Sequence, residues 1–78
     1  AEILALLTPE RTTAFALSRA LTWSGGRRAF TDLHPFQQSM ALAETIAHLE
    51  LLRGRGHAAR EEADGRLWWR RTPWARAA

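Results

Sequence analysis

Residues 34–71 carry the strongest structural pattern in the chain: HPFQQSMALAETIAHLELLRGRG (34–56), followed by HAAREEADGRLWWRR (57–71). In the first stretch apolar residues recur every three or four positions, which is the spacing of an amphipathic helix. They are Phe36, Met40, Ala43, Ala47 and Leu51, with Leu42, Ile46 and Leu49 widening the stripe. We expect this stripe to face the core.

Signals at both ends delimit this helix. Pro35 suits the first helical position, because its missing amide hydrogen would have no helical partner there. Arg53 falls in the last turn, where a cation interacts favourably with the helix dipole. Gly54 or Gly56 then ends the helix.

The second stretch predicts a β-hairpin. Asp64-Gly65 supplies the positive backbone torsions that a two-residue hairpin turn requires. Such a turn also determines the register, whose pairs are Ala63 with Arg66, Glu61 with Trp68, and Arg60 with Trp69. Alternation along the second strand then places Leu67 and Trp69 on the inward side, and Arg66, Trp68 and Arg70 on the outward side.

Two shorter helices precede the long one. In AEILALLTPE the residues on one side of a helix are Ile3, Leu4, Leu6 and Leu7, and Pro9 stops this helix at Thr8. In RTTAFALSRALTW, Thr12 or Thr13 can cap a second helix whose inward residues are Phe15, Leu17 and Leu21. SGGRR (24–28) has the composition of an exposed loop.

The order of helix, helix, long helix and hairpin is that of a winged helix, a mainly helical α+β variant of the helix-turn-helix. The 78 residues make one small domain, and 46% hydrophobic residues suffice for a core that includes Trp23 and Trp69. The absence of cysteine excludes disulfides and thiolate chemistry. AEILALL resembles neither a signal peptide nor a membrane span, so we expect a cytoplasmic protein with no membrane partner. We also expect the chain to be a fragment of a longer protein.

Several segments of the sequence also resemble a known family. They are TAFALSRAL (13–21), TW and GGRR (22–28), FTDLHPF (30–36) and AETIAHLELL (43–52). Together they resemble the C-terminal winged-helix domain of metallo-β-lactamase-fold hydrolases of the β-lactamase-like protein 2 type, over roughly residues 1–71. The resemblance implies an accessory domain that packs on the catalytic domain and flanks its substrate entrance.

The resemblance also implies what this chain lacks. The family's His-x-His-x-Asp-His motif does not occur here, so zinc and catalysis belong to the catalytic domain, and no cofactor is assigned to this chain. Family members often have aspartate directly before the Pro-Phe pair, where this chain has His34. Because histidine caps a helix less well, we expect Asp32 to take over or the helix start to fray.

Catalytic chemistry within the chain finds little support. Glu44 and His48 lie one helical turn apart, but the third metal ligand would have to be His34, His57 or Asp32, at no recognisable spacing. A helix pair sharing one hydrogen bond is the simpler interpretation. No serine or threonine lies in a nucleophile motif, and no glycine pair matches a phosphate-binding loop. We therefore expect no enzymatic activity from this chain alone.

Nucleic acid is the alternative partner. The third helix carries Glu44 and Glu50 and no arginine before Arg53, which argues against the reading of duplex bases. RNA or single-stranded DNA could instead lie on the basic loop and hairpin. The candidate contact residues, for nucleic acid or for a protein, are Arg27, Arg28, Arg66, Trp68 and Arg70.

Two further interpretations of the basic hairpin stay open. Its arginines could belong to a solvated surface, paired with Glu61, Glu62 and Asp64 or lying across Trp68 as cation–π contacts. The domain could also be a structural or dimerising element.

Overall fold

The computed structural model describes residues 2–23 and 28–73. Three α-helices lie within these ranges: α1 (Glu2–Leu6), α2 (Ala14–Ala20) and α3 (Pro35–Gly54). None of the helices in the described part is both long enough and apolar enough to cross a bilayer.

Two small antiparallel hairpins accompany the helices. β1 (Thr22–Trp23) pairs with β2 (Arg28–Ala29), and a 3-10 turn over Phe30–Asp32 leads into α3. β3 (Ala58–Ala63) and β4 (Arg66–Arg71) form the C-terminal hairpin. The predicted mainly helical α+β class is thereby confirmed. The prediction of a loop at residues 24–28 was wrong at Arg28, which belongs to β2; residues 24–27, including Arg27, lie outside the described part.

The start of α2 follows from side-chain capping. The Thr13 hydroxyl accepts a hydrogen bond from the Ala16 amide at 3.1 Å, so Thr13 is the cap rather than Thr12. Leu17 and Leu21 are buried as predicted, at 4% and 5% exposure, but Phe15 is 51% exposed. Ser18 is buried instead of Phe15, because it lies next to Leu17 and about one turn before Leu21 on the side of α2 that faces the core.

His34 caps α3, contrary to the expectation that Asp32 would replace it or that the helix start would fray. Its Nδ1 accepts from the Phe36 amide at 3.2 Å, and its own amide donates to Oε1 of Gln37 at 3.1 Å. An unprotonated imidazole nitrogen is a good acceptor, so this reciprocal arrangement satisfies two donors. At the other end Gly54 closes the helix as predicted, and Gly56 follows with φ +78°.

The prediction of which side of α3 is buried was wrong. Its buried residues are Ala41, Thr45, Leu49 and Leu52, of which the sequence interpretation had placed only Leu49 inward. The large members of the predicted stripe are exposed: Phe36 (67%), Met40 (52%), Leu51 (50%) and Ile46 (40%). The helix has apolar residues on two opposite sides, and periodicity alone does not show which side packs on the core.

The C-terminal hairpin has the predicted turn and register. Asp64 and Gly65 have φ values of 55° and 72°, and Glu61 lies opposite Trp68 in the ladder. Trp69 is buried at 1% exposure, as expected for the inward side. Leu67, assigned to the same side, is 47% exposed and lies beyond the edge of the core.

The segment before α2 adds a third chain to this hairpin. Thr12 and Trp69 exchange two backbone hydrogen bonds of 2.8 and 2.7 Å, and the Arg71 amide donates to the Thr8 carbonyl at 2.8 Å. β4 therefore lies between β3 and residues 8–12. This pairing joins the N-terminal part of the domain to its last strand, and the sequence pattern gave no sign of it.

The core consists of two clusters of buried apolar side chains. The larger one joins α1, α2, α3 and the hairpin, and consists of Ile3, Leu4, Leu7, Leu17, Leu21, Leu49, Leu52, Ala58 and Trp69. The smaller one holds Phe30, Leu33 and Ala41. Trp23 is half-buried and packs against both, and its indole N–H donates to the Ser18 carbonyl at 3.1 Å. Leu6, predicted to share one side of the first helix with Ile3, Leu4 and Leu7, is 37% exposed, whereas those three are buried.

Candidate interaction surfaces

The predicted basic surface lies on the C-terminal hairpin. Arg66, Trp68 and Arg70 occupy every second position of β4 and therefore share one side of the strand. We call this side the wing face. Both arginines are exposed. The guanidinium of Arg11 lies 4.4 Å from the centroid of the Trp68 ring. The indole N–H of Trp68 donates to the Ala63 carbonyl at 3.1 Å. One side of the ring and its only polar group are thus engaged within the domain.

Acidic residues compensate part of this positive charge. Arg11 also lies 3.9 Å from Glu61, in a pair whose side chains are both about half exposed, so it contributes little to stability. Arg66 and Arg70 form no ion pair with any residue in the ranges that the structure describes. The predicted cation–π contact at Trp68 exists, but it comes from Arg11, which the sequence interpretation had not considered.

A second charged group ties the hairpin to α3. Glu50 accepts hydrogen bonds from Arg53 at 3.2 and 2.9 Å and from Arg60 at 2.9 Å. The hydrogen bonds from Arg53, helped by its charge and that of Arg60, hold the pKa of Glu50 below its usual value. The Glu50 carboxylate is therefore already neutralised by two cations of its own domain. Arg60 thus pairs with α3 and not with the acidic residues of the hairpin.

Of the two remaining basic candidates, Arg28 does not belong to the wing face. Arg28 is exposed and lies in β2, in a different sheet from Arg66 and Arg70. Arg27 lies outside the described residues. The structure therefore brings together Arg66, Trp68 and Arg70 of the predicted set, and it adds Arg11 to them.

A different exposed surface runs along α3. Phe36, Met40, Ala43, Ala47 and Leu51, here called the outer face of α3, are all exposed. At about 100° per residue they fall within one narrow stripe, roughly opposite the buried residues of the same helix. Sequence reasoning found these residues by their periodicity, but it assigned them to the core.

Three shallow hollows adjoin the outer face. The first, of about 200 Å³, lies between α1, β1 and α3 and is lined mainly by Ile3, Leu21 and Trp23. The second, of about 230 Å³, is formed by Trp23, Leu33 and Met40, and the third, of about 360 Å³, by Ala47 and Leu51. Glu44 lines all three, and His48 lines the first and third. We call the outer face and these three hollows, which share Glu44, the groove.

Glu44 and His48 differ from the pair that was expected. Both are exposed, and no hydrogen bond joins them in the described structure. Nor does any group of three histidine, aspartate or glutamate side chains among residues 2–23 and 28–73 come close enough to hold a metal ion. Glu44 has no ion-pair partner within the same ranges.

Comparison of the chain with protein-family models, with curated proteins and with solved structures finds no match. The functional interpretation therefore rests on the two surfaces described above and on the residues that carry the family resemblance.

Proposed function

We propose that the chain is a winged-helix accessory domain whose function is to dock on another protein domain through the outer face of α3. The observation that carries the proposal is the exposure of Phe36, Met40 and Leu51 on the side of α3 opposite the core. Contiguous apolar surface on a water-soluble domain marks a site of contact with a partner. A helix that is apolar on two sides packs on two sides.

The winged-helix assignment is supported by the order of elements. Two helices precede α3, a two-stranded hairpin follows it, and residues 8–12 pair with that hairpin between the first and second helices. In winged helices that read DNA, the third helix presents cationic and amide side chains to the bases. Here the corresponding helix carries Gln37 and Gln38 but no arginine or lysine before Arg53; its exposed apolar residues suit a protein surface, and the carboxylate of Glu44 repels phosphate.

The family resemblance supports one identity for the docking partner. We propose that it is the catalytic domain of a metallo-β-lactamase-fold hydrolase, with this domain flanking the substrate entrance. In that arrangement the catalytic domain holds the zinc and performs the reaction. This chain contributes a surface, and none of its residues is assigned a catalytic role.

Charged substitutions on the outer face test the docking function. In the longer protein that carries this domain, Met40→Asp and Leu51→Asp should uncouple the domain from its neighbour, because burying a carboxylate against apolar surface is unfavourable. One cooperative thermal transition should split into two, and the hydrolase activity should fall. Differential scanning calorimetry and a hydrolysis assay would measure these changes.

Leu67→Asp is the matched control for these variants. Leu67 is as exposed as Leu51, at 47% against 50%, but lies on the hairpin. It should leave both the thermal transition and the activity unchanged. Circular dichroism of each variant should show an intact fold, since the substituted residues are exposed. If the outer-face variants behaved like the Leu67 control, the docking proposal would be wrong.

We propose binding of RNA or single-stranded DNA at the wing face as a second candidate function. Two observations favour it: Arg66 and Arg70 flank Trp68 without ion-pair partners in the described part, and Arg11 adds a third cation. The contact between Arg11 and Trp68 weakens the case, because a stacked base would have to displace the guanidinium or use the other side of the ring.

An oligonucleotide titration would test this second function. A labelled single-stranded RNA should bind weakly, with an affinity that falls steeply as salt is raised and drops further in Arg66→Ala and Arg70→Ala. Arg55→Ala, which removes an exposed arginine just after α3, serves as the charge-matched control. An affinity independent of salt, or equal losses in all three variants, would exclude a specific site on the wing face.

A further inference from the structure

The spacing of the outer face matches a helix as its partner. Its five residues follow one another at intervals of four, three, four and four, which places them on one side of the helix, where a second helix can pack along a seam. The large side chains of Phe36, Met40 and Leu51 lie toward the ends, and Ala43 and Ala47 lie between them. Small residues at the middle of a seam let two helices approach closely, and the outer face extends about 22 Å along α3 from Phe36 to Leu51.

Glu44 is the charged group at the centre of this groove. It lines all three hollows, and it has no cationic partner among the described residues. Glu2 lines the first hollow as well, so the groove carries a second carboxylate. Glu50 differs from both, because Arg53 and Arg60 already neutralise it. The charge that the groove presents to a partner is therefore negative and lies near its middle.

A partner that covers the groove must compensate this charge. Removal of a carboxylate from water without an opposite charge is costly, whereas a cation placed against it recovers much of that cost. A purely apolar partner helix would bury Glu44 unpaired. A helix with an arginine or lysine at its centre would fill the hollows and pair with the carboxylate.

We propose that the docking partner presents an amphipathic helix with a central arginine or lysine, which pairs with Glu44 of this domain. The inference rests on the proposed docking function and adds the chemistry of the partner to it. The outer face supplies the apolar contact, and Glu44 selects partners by charge.

Two synthetic helical peptides would test this pairing. Both have 18 residues, with leucine and alanine at seam spacing and glutamine elsewhere; one carries a central arginine and its twin a central glutamate. Fluorescence anisotropy would measure the binding of each labelled peptide to the 78-residue chain. The arginine peptide should bind about fivefold more tightly, which corresponds to ~1 kcal/mol for a partly exposed ion pair.

Charge-reversal variants complete the test. Glu44→Arg should invert the preference between the two peptides, whereas Glu62→Arg, the same change on the exposed part of β3, should leave it intact. Met40→Asp should weaken the binding of both peptides alike, because it disrupts the apolar contact and not the ion pair.

The possible results separate the two proposals. Equal binding of both peptides, with sensitivity to Met40→Asp, would leave the docking function standing and overturn the cation inference. If neither peptide bound, the inference of a helical cationic partner would fall, whereas the docking function would still be decided by the outer-face variants of the longer protein. The chain alone could also sediment as a dimer that Met40→Asp abolishes. That result would identify a second copy as the occupant and overturn the inference of a cationic partner helix.

Discussion

Trp69→Ala should remove most of the free energy of unfolding of the domain. Trp69 is 1% exposed, and it is the largest fully buried side chain in the described part of the chain. Its strand also pairs on both sides, with Arg60 of β3 and with Thr12. Truncation of a buried aromatic residue to alanine costs about 3–5 kcal/mol. A small domain without disulfides lies toward the low end of the roughly 5–15 kcal/mol typical of folded proteins.

Urea unfolding followed by far-ultraviolet circular dichroism would measure this loss, since the substitution removes one of the fluorescent tryptophans. Leu67→Ala is the control two residues earlier on the same side of β4. Its side chain is 47% exposed, so the free energy of unfolding should change by less than ~0.5 kcal/mol. Comparable losses in the two variants would mean that β4 does not pack on the core as described.

The second large effect should come from a buried pair of hydroxyl groups. Ser18 of α2 and Thr45 of α3 are both fully buried, and Oγ of Ser18 lies 2.9 Å from both Oγ1 of Thr45 and the Ala14 carbonyl oxygen, which share its single proton. Thr45 in turn donates to the Ala41 carbonyl at 2.9 Å. Each of Ser18→Ala and Thr45→Val should lower the free energy of unfolding by about 1–2 kcal/mol, because a buried polar group loses a partner.

The double variant distinguishes this hydrogen bond from simple packing. Ser18→Ala with Thr45→Val removes both polar groups together, so its loss should be smaller than the sum of the single losses by at least ~0.5 kcal/mol. Chemical denaturation of the four proteins would give the coupling. Strict additivity would show that the two hydroxyls do not interact across the interface of α2 and α3.

Local signals in the sequence placed the C-terminal hairpin and the starts of two helices accurately. The Asp64-Gly65 turn determined the register of the hairpin, because a two-residue turn with positive φ values permits one pairing of the flanking residues. Pro35 and Thr13 likewise marked the starts of two helices, since capping depends on residues within one turn. These features rest on neighbours in the sequence.

The candidate sites were predicted less well. The three wing-face residues share one side of β4 because side chains alternate along a strand, which the sequence implies directly. Their partner Arg11 comes from a segment 57 positions before Trp68, counted along the chain, and no local pattern indicates that contact. The outer face of α3 was found as a stripe and placed on the wrong side, because both sides of that helix carry apolar residues.

The sequence by itself determined the three helices, the C-terminal hairpin with its turn, and the apolar periodicity of the long helix, but neither the β1–β2 hairpin nor the capping of α3 by His34. Only the tertiary structure decided which side of α3 is buried and that residues 8–12 pair with β4. It also decided that Arg11 lies against Trp68 and that Glu44 has no ion-pair partner among the described residues. The reason is physical: torsions and capping depend on residues a few positions apart. Burial and pairing depend on how whole elements pack: Leu49 joins the core formed with α1, α2 and the hairpin, whereas Ala41 packs with Phe30 and Leu33.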